Sequence, residues 1–192
     1  MLHDTWIRSR LLSLDLARHY YQAGEYGRAL PYYTQALAQV ADSATSEIVM
    51  EVGKAYDEIG DCEHALVFFE RYRSMVRPWQ RDEVDWYIGT CSFALARETL
   101  AARERTDAQL ESTLTRINRV IEVGAPRNIL GQAWFAKAEV LSQLGECQAA
   151  MDAYARVRTV DNSASLVDRA QARFDEIRFG RGLESLRGGR CR

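Results

Sequence analysis

The sequence lacks any long uninterrupted run of apolar residues and has little net charge. No stretch approaches the ~18 consecutive apolar residues of a membrane span. The opening residues, MLHDTWIRSRLLSLDLARHYY, do not place a continuous apolar segment after a basic start, so we expect no signal peptide. The formal net charge is −2 over 192 residues, which gives no general attraction to nucleic acids or anionic membranes. We therefore expect neither a membrane span nor a nucleic-acid partner.

Cysteine and histidine are scarce, and no catalytic motif is present. The four cysteines (Cys62, Cys91, Cys147 and Cys191) are far apart and include no C-x-x-C pair, a pattern that favours free thiols in a reducing compartment. The three histidines do not form H-x-x-x-H or H-E-x-x-H, and the chain has no G-x-x-x-x-G-K-[ST] or G-x-S-x-G motif. We therefore expect no enzyme activity, no metal and no cofactor. The expected location is the cytoplasm, or the periplasm if a leader peptide has been removed.

An internal repeat is the main feature that the sequence does contain. The segment YQAGEYGRALPYYTQAL, at 21–37, places a glycine, an alanine and an aromatic residue at fixed spacing, followed by a fourth apolar position three residues later. The glycine lets the chain turn between helices, the alanine lets two helices approach closely, and the aromatic ring fills the adjoining space. This frame is found three times: at Gly24, Ala29, Tyr33 and Ala36; at Gly60, Ala65, Phe69 and Tyr72; and at Gly145, Ala150, Tyr154 and Val157.

These residues make the chain similar to the tetratricopeptide repeat (TPR) family, whose unit is a pair of antiparallel helices of roughly 34 residues. The resemblance implies an all-α fold, a TPR-like α-solenoid of about four units with a C-terminal capping helix, forming one domain over 1–179. The expected units are 10–43, 46–79, 83–126 and 131–164, followed by a capping helix at 165–179 and a flexible Arg- and Gly-rich tail at 180–192.

The third unit departs from the frame and is expected to be elongated. Its first helix, with WYIGTCSFALA, is followed by a charged stretch at 97–107 before the next helical stripe begins. Thr106 and Gln109 have the spacing of a capping box, which predicts the start of the second helix there. This unit resembles the elongated repeats of outer-membrane assembly lipoproteins and periplasmic cell-division coordinators.

The family resemblance also implies a binding groove lined by the first helix of each unit. Such grooves hold a peptide or an amphipathic helix of a partner protein. Four inward positions would form an apolar strip, namely Leu14, Met50, Tyr87 and Phe135. The predicted groove residues are Leu14, Arg18, Tyr21, Met50, Lys54, Asp57, Tyr87, Phe135 and Glu139. The alternative is that the protein's own first or last helix fills these positions.

The N-terminal helix is more apolar than a free end requires. Trp6, Ile7 and Leu11 are therefore candidates for self-association. The leading functional hypothesis is a non-catalytic scaffold or adaptor that binds a protein segment in its groove, as a subunit of a larger complex. Two alternatives stay open, an envelope-associated TPR protein and a regulatory subunit of an enzyme.

Overall fold

The computed structural model describes residues 2–38, 45–184 and 191, and the side chains of 12–38, 45–180 and 191. Within these residues the secondary structure is helical, and no β-strand occurs. The α-helices are α1 (Leu2–Gln22), α2 (Tyr26–Ala38), α3 (Ser46–Glu58), α4 (Cys62–Met75), α5 (Asp82–Ala101), α6 (Asp107–Val123), α7 (Leu130–Leu144), α8 (Cys147–Val160) and α9 (Ala164–Glu184). Short 3-10 helices occur at Pro78–Gln80 and Arg127–Ile129.

The chain divides into two compact units, Met1–Tyr87 and Ile88–Arg192. In the first unit, α1 packs against α2, α2 against α3, and α3 against α4. In the second unit, α6 packs against α7, α7 against α8, and α8 against α9. Each unit is thus built from consecutive helix pairs of the TPR type, which confirms the fold class predicted from the repeat.

The repeated glycines make the turns inside the helix pairs. Gly24, Gly60 and Gly145 follow α1, α3 and α7 and have φ values of 75°, 79° and 85°. These values lie in the left-handed region, which a residue with a Cβ adopts only at a steric cost. The glycine spacing in the sequence therefore marks the point where each first helix ends.

The repeated alanines and aromatics are buried where the helices meet. Ala29, Ala65 and Ala150 are each 0% exposed, and the aromatic residue one turn later is 0–2% exposed in all three copies. In the first unit this frame belongs to a core that also includes Ile48, Val52 and Ala55. Burial of each such apolar side chain contributes on the order of 1.5–3 kcal/mol, so packing rather than helix propensity holds the pairs together.

The third helix pair is elongated, as predicted, and begins its second helix at the expected cap. The Thr106 side chain accepts a hydrogen bond from the Gln109 N–H (3.2 Å), and the Gln109 side chain accepts one from the Thr106 N–H (2.9 Å). Helix α5 reaches Ala101 and α6 spans Asp107–Val123, so the charged stretch begins in the last turns of α5 and ends at the cap of α6. Buried residues of α5, α6 and α7, including Phe93, Leu110 and Val140, form one core cluster of the second unit.

Both end helices differ from the predicted bounds. Helix α1 already begins at Leu2, and α9 continues to Glu184 rather than ending at 179. Of the predicted tail, residues 185–190 and 192 lie outside the described residues. Among the helices that are described, none combines the length and the hydrophobicity needed to cross a bilayer.

One helix of the second unit passes very close to a loop backbone. A Cβ placed on Gly89, in α5, would lie 1.7 Å from the carbonyl oxygen of Ala125, just after α6. Backbone cannot move aside as cheaply as the end of a flexible side chain can. Gly89 is therefore required by packing, in contrast to Gly27 on α2, where an added Cβ meets nothing within 4 Å.

We expect Gly89→Ala to lower the free energy of unfolding by about 1–3 kcal/mol, because the new methyl group overlaps the Ala125 carbonyl. The matched control is Gly27→Ala, which should raise the free energy of unfolding by up to about 1 kcal/mol, since alanine has the higher helix propensity. Urea denaturation followed by circular dichroism measures both. Equal stability of Gly89→Ala and wild type would show that α5 and this loop do not approach as described.

Candidate functional site

A hydrogen-bonded cluster in the first unit joins a core tyrosine to the predicted groove. The Tyr33 hydroxyl donates to the Glu51 carboxylate at 3.0 Å, and the Arg18 guanidinium donates to the same oxygen, Oε2, at 3.1 Å. Burial raises the pKa of Tyr33, and the Glu51 charge raises it further. The hydrogen bond to Glu51 also raises the pKa of Arg18. Arg18, a predicted groove residue, is therefore held in place by Glu51, which the sequence analysis did not include.

Lys54, another predicted groove residue of this unit, is also held by a carboxylate. Its Nζ lies 2.6 Å from Glu83 Oε1 and 5.6 Å from the centroid of the Tyr87 ring. Burial lowers the pKa of Lys54, but the hydrogen bond and the charge of Glu83 outweigh it, so the pKa is raised overall. The ammonium group therefore stays charged and is directed by two partners. Glu83 was missed from the sequence, although its position four residues before Tyr87 puts both on one face of α5.

Aromatic rings support the same surface. The Tyr21 ring makes edge contacts with Tyr26 at 5.3 Å and Tyr33 at 6.3 Å between centroids. The Tyr87 ring stacks on the buried Phe69, with 4.8 Å between centroids. Burial raises the pKa of both Tyr21 and Tyr87, so both are neutral hydroxyls at physiological pH. We call Arg18, Tyr21, Lys54, Glu83 and Tyr87 the first-unit row.

The remaining predicted groove residues of this unit are less accessible. Met50 is only 7% exposed, and Leu14 packs against the core that contains Tyr33. Asp57 is partly buried, and burial raises the pKa of its carboxyl group. The expected apolar strip is therefore largely used by the protein's own packing. The accessible part of this surface is aromatic and charged.

In the second unit, the predicted groove residues contact the last helix. The Arg173 guanidinium donates to Glu139 Oε1 at 3.0 Å, and the Tyr154 hydroxyl donates to the same oxygen. The hydrogen bond to Glu139 raises the pKa of Arg173, and burial raises that of Tyr154. The Arg169 guanidinium lies 4.8 Å from the centroid of the Phe135 ring. Helix α9 thus contacts two of the predicted groove residues, Phe135 and Glu139, which is the kind of contact that the alternative stated above expects.

The expectation of free thiols is wrong. Cys147 and Cys191 form a disulfide with a Cα–Cα distance of 5.4 Å across a sequence separation of 44, and none of the four cysteines is a free thiol. Cys191 also exchanges hydrogen bonds with Ser142 of α7: its N–H donates to the Ser142 carbonyl at 3.2 Å, and its carbonyl accepts from the Ser142 hydroxyl at 2.8 Å. Spacing along the chain did not reveal this pairing, because the fold brings α8 and residue 191 together.

His64 takes part in the N-terminal cap of α4. The Asp61 carboxylate accepts from the His64 N–H at 3.1 Å and lies 2.8 Å from its Nδ1, at the start of α4. These hydrogen bonds lower the pKa of Asp61. The His64 ring stacks on Tyr56 at 5.2 Å. Asp61 and His64 therefore have local structural roles.

The candidate self-association residues Trp6, Ile7 and Leu11 belong to α1, but their side chains lie outside the described residues. Self-association through this end stays a prediction.

Solved structures similar to the chain include two of MamA and one of a kinesin light chain. The MamA protein crystal structure is 16% identical, with 87% of this chain and 88% of that chain covered and a TM-score of 0.46. MamA MSR-1 C2 is 19% identical, with 92% and 90% covered and a TM-score of 0.46. The putative Podosopora anserina kinesin light chain with nearly identical TPR-like repeats is 18% identical, with 85% and 82% covered and a TM-score of 0.38. No model of a known protein family matches the sequence, and the search among curated proteins gives no match.

The buried Tyr33 hydroxyl predicts a pH-dependent contribution to stability. We expect Tyr33→Phe to lower the free energy of unfolding by about 1 kcal/mol at pH 8, because a hydrogen bond to Glu51 is lost. In the unfolded chain tyrosine ionises near pH 10, whereas the pKa of Tyr33 in the folded protein is raised well above this value. The contribution of Tyr33 is thus fully present below pH 10 and is lost as the pH rises above it.

Urea denaturation of wild type and Tyr33→Phe at pH 8 and pH 11 measures this effect. The difference between the two should narrow at the higher pH. Tyr32→Phe on the same helix, whose ring stacks on Tyr20, is the control and should change the free energy of unfolding at pH 8 by less than about 0.5 kcal/mol. A difference between wild type and Tyr33→Phe that is unchanged from pH 8 to pH 11 would contradict the assignment.

Proposed function

We propose that the protein is a non-catalytic scaffold that binds a segment of a partner protein on the first-helix surface of its helix pairs. The observation that carries this proposal is the first-unit row. It combines two fixed cations, one carboxylate and two tyrosines on α1, α3 and the start of α5. Tyrosine and arginine are the residue types enriched in the energetically dominant parts of protein interfaces.

The geometry of the row favours recognition over catalysis. Each of its cations is already paired with a carboxylate, Arg18 with Glu51 and Lys54 with Glu83. The pKa of each cation is raised, so neither is prepared to exchange a proton near neutral pH. Held in this way, the groups lose little conformational entropy on binding, which is the property expected of a pre-organised docking surface.

We expect a charge swap in the row to weaken peptide binding at least tenfold. Lys54→Glu combined with Glu83→Lys keeps the ion pair, and therefore the local fold, but exchanges the positions of the two charges. The ligands are peptides selected from a displayed random 12-residue library on the wild-type protein, and fluorescence anisotropy measures their affinity.

The control is Val67→Glu, which changes a 64% exposed residue on the second helix α4 and should alter affinity less than twofold. Circular dichroism checks that all variants are folded. If the selected peptides bind the charge-swapped protein as tightly as the wild type, the first-unit row does not bind them. A failure of the library to give any binding peptide would count against the scaffold function itself.

The Cys147–Cys191 disulfide favours the second candidate, a scaffold associated with the cell envelope. Disulfides persist mainly in oxidising compartments, and cytoplasmic thiols are usually kept reduced. The cytoplasmic location expected from the sequence depended on free thiols. An oxidising compartment is therefore the location that we propose.

The compartment can be tested by trapping thiols in intact cells that produce the protein. After rapid acid quenching, a maleimide reagent of high mass is added without reductant, and gel mobility reports how many thiols react. We expect Cys147 and Cys191 to stay unmodified and to become reactive once a reductant is added. Modification of both without reductant would place the protein in a reducing compartment.

A further inference from the structure

The second unit contains an open cavity of about 600 Å³ between α5, α7 and α9. We call it the α5–α7–α9 cavity. It is lined by Phe93 and Arg97 of α5, Gln132 and Phe135 of α7, Ser165, Leu166 and Arg169 of α9, and Asp161 and Ser163 of the preceding loop. Its volume lies within the range of ~300–1,000 Å³ that is typical of ligand sites.

Two arginine side chains line this cavity. Both Arg97 and Arg169 are exposed, and within the described part of the chain neither forms an ion pair with a carboxylate. Arg173, one turn along α9, differs from Arg169 in the partners of its guanidinium group. Arg173 is paired with Glu139 at 3.0 Å and with Glu176 at 2.6 Å, whereas Arg169 contacts the Phe135 ring. Among the described residues, the cavity therefore has no arginine–carboxylate ion pair equivalent to Arg173–Glu139.

The carboxylate in the cavity wall is directed elsewhere. Asp161 Oδ1 accepts from the Ser163 N–H at 2.7 Å. Its Oδ2 lies 2.1 Å from the point that a Cβ on Gly131 would occupy, so the carboxylate rests on the first turn of α7. Asp161 is thus held by the backbone rather than paired with either arginine, and two arginines against one carboxylate leave the cavity lining with one net positive charge.

The apolar side of the cavity lies next to these charges. Phe93 is 7% exposed, and Phe135 and Leu166 pack against the core at the α8–α9 end of the unit. An occupant must therefore combine a negative charge with an apolar or aromatic group. Nucleic acid fits poorly, because only two cations line the cavity and the chain as a whole has a net charge of −2.

We propose that the α5–α7–α9 cavity binds an acidic peptide segment, in which an Asp or Glu side chain pairs with Arg97 and Arg169 while a neighbouring aromatic or aliphatic residue contacts Phe135 and Leu166. Guanidinium groups bind carboxylates through paired, charge-assisted hydrogen bonds, and they give such a site its specificity. This inference rests on the proposed scaffold function and names the chemistry of one binding segment.

The test uses a peptide array that presents every pair of neighbouring residues between Gly-Ser flanks, with amidated C-termini so that only side chains carry acid. We expect the strongest binding of labelled wild-type protein at spots with Asp or Glu beside an aromatic or leucine residue. Spots with Asn or Gln in place of the acid should bind at least tenfold less. Raising the salt concentration should weaken the acidic spots, because exposed charges are screened.

The decisive variant is Arg97→Ala with Arg169→Ala, which should lose at least tenfold in affinity for the acidic peptides. Arg103→Ala with Arg156→Ala removes the same charge at exposed residues that do not line the cavity, and it should change affinity less than twofold. Because none of these four arginines forms an ion pair in the described part of the chain, neither double variant should lose stability in urea denaturation. Lysine at both cavity positions should restore part of the binding.

Three results would overturn the inference. Acidic spots could bind no better than their amide counterparts, the cavity variant could bind as wild type does, or a labelled oligouridine could displace the peptides through the same arginines. If peptides bind independently of the cavity arginines but are lost in the Lys54→Glu/Glu83→Lys protein, this inference fails while the scaffold function stands. An array on which no peptide binds would contradict both this inference and the scaffold function.

Discussion

The structure depends on the close approach of paired helices at one small residue followed by one aromatic ring. Ala29, Ala65 and Ala150 are completely buried, and the ring one turn later fills the space that each leaves. Whether that ring is tyrosine or phenylalanine then decides whether it extends a hydroxyl group to the first-helix surface. Where the ring is tyrosine, its hydroxyl extends to a carboxylate that also holds an arginine, as at Tyr33 and Tyr154. Core packing and surface polarity are therefore specified by the same residue.

The second copy of the frame has Phe69 at the ring position and therefore lacks this hydroxyl. Phe69 stacks on Tyr87, and the hydroxyl is supplied by the next helix along the chain. The cation beside it, Lys54, is held by Glu83. Exposed ion pairs of this kind contribute little to stability, typically ~0–1 kcal/mol, because water and salt screen them. Their effect is to fix the direction of the charges, which matters more for the choice of partner than for folding.

Much of the fold could be predicted because its determinants are local. The turn glycines, the small residues and the Thr106–Gln109 cap each act within one helix pair, and the sequence displays them directly. The site was less predictable. Met50 was assigned to an open groove, but its burial depends on helix rotation, which a repeat frame gives only approximately. The Cys147–Cys191 pairing depends on the contact of residue 191 with α7 and α8, which the spacing of the cysteines does not encode.

Helix α9 shows why the end of such an array is the hardest part to predict. Gly180 lies near its C-terminal end, where glycine usually interrupts a helix, yet α9 continues to Glu184. The polar face of α9 forms contacts that the repeat does not specify. Arg173 uses this freedom to neutralise Glu139, whereas Arg169, one turn earlier, keeps its charge beside Phe135. The helix that closes the apolar core therefore also determines which charges of the second unit stay available to a partner.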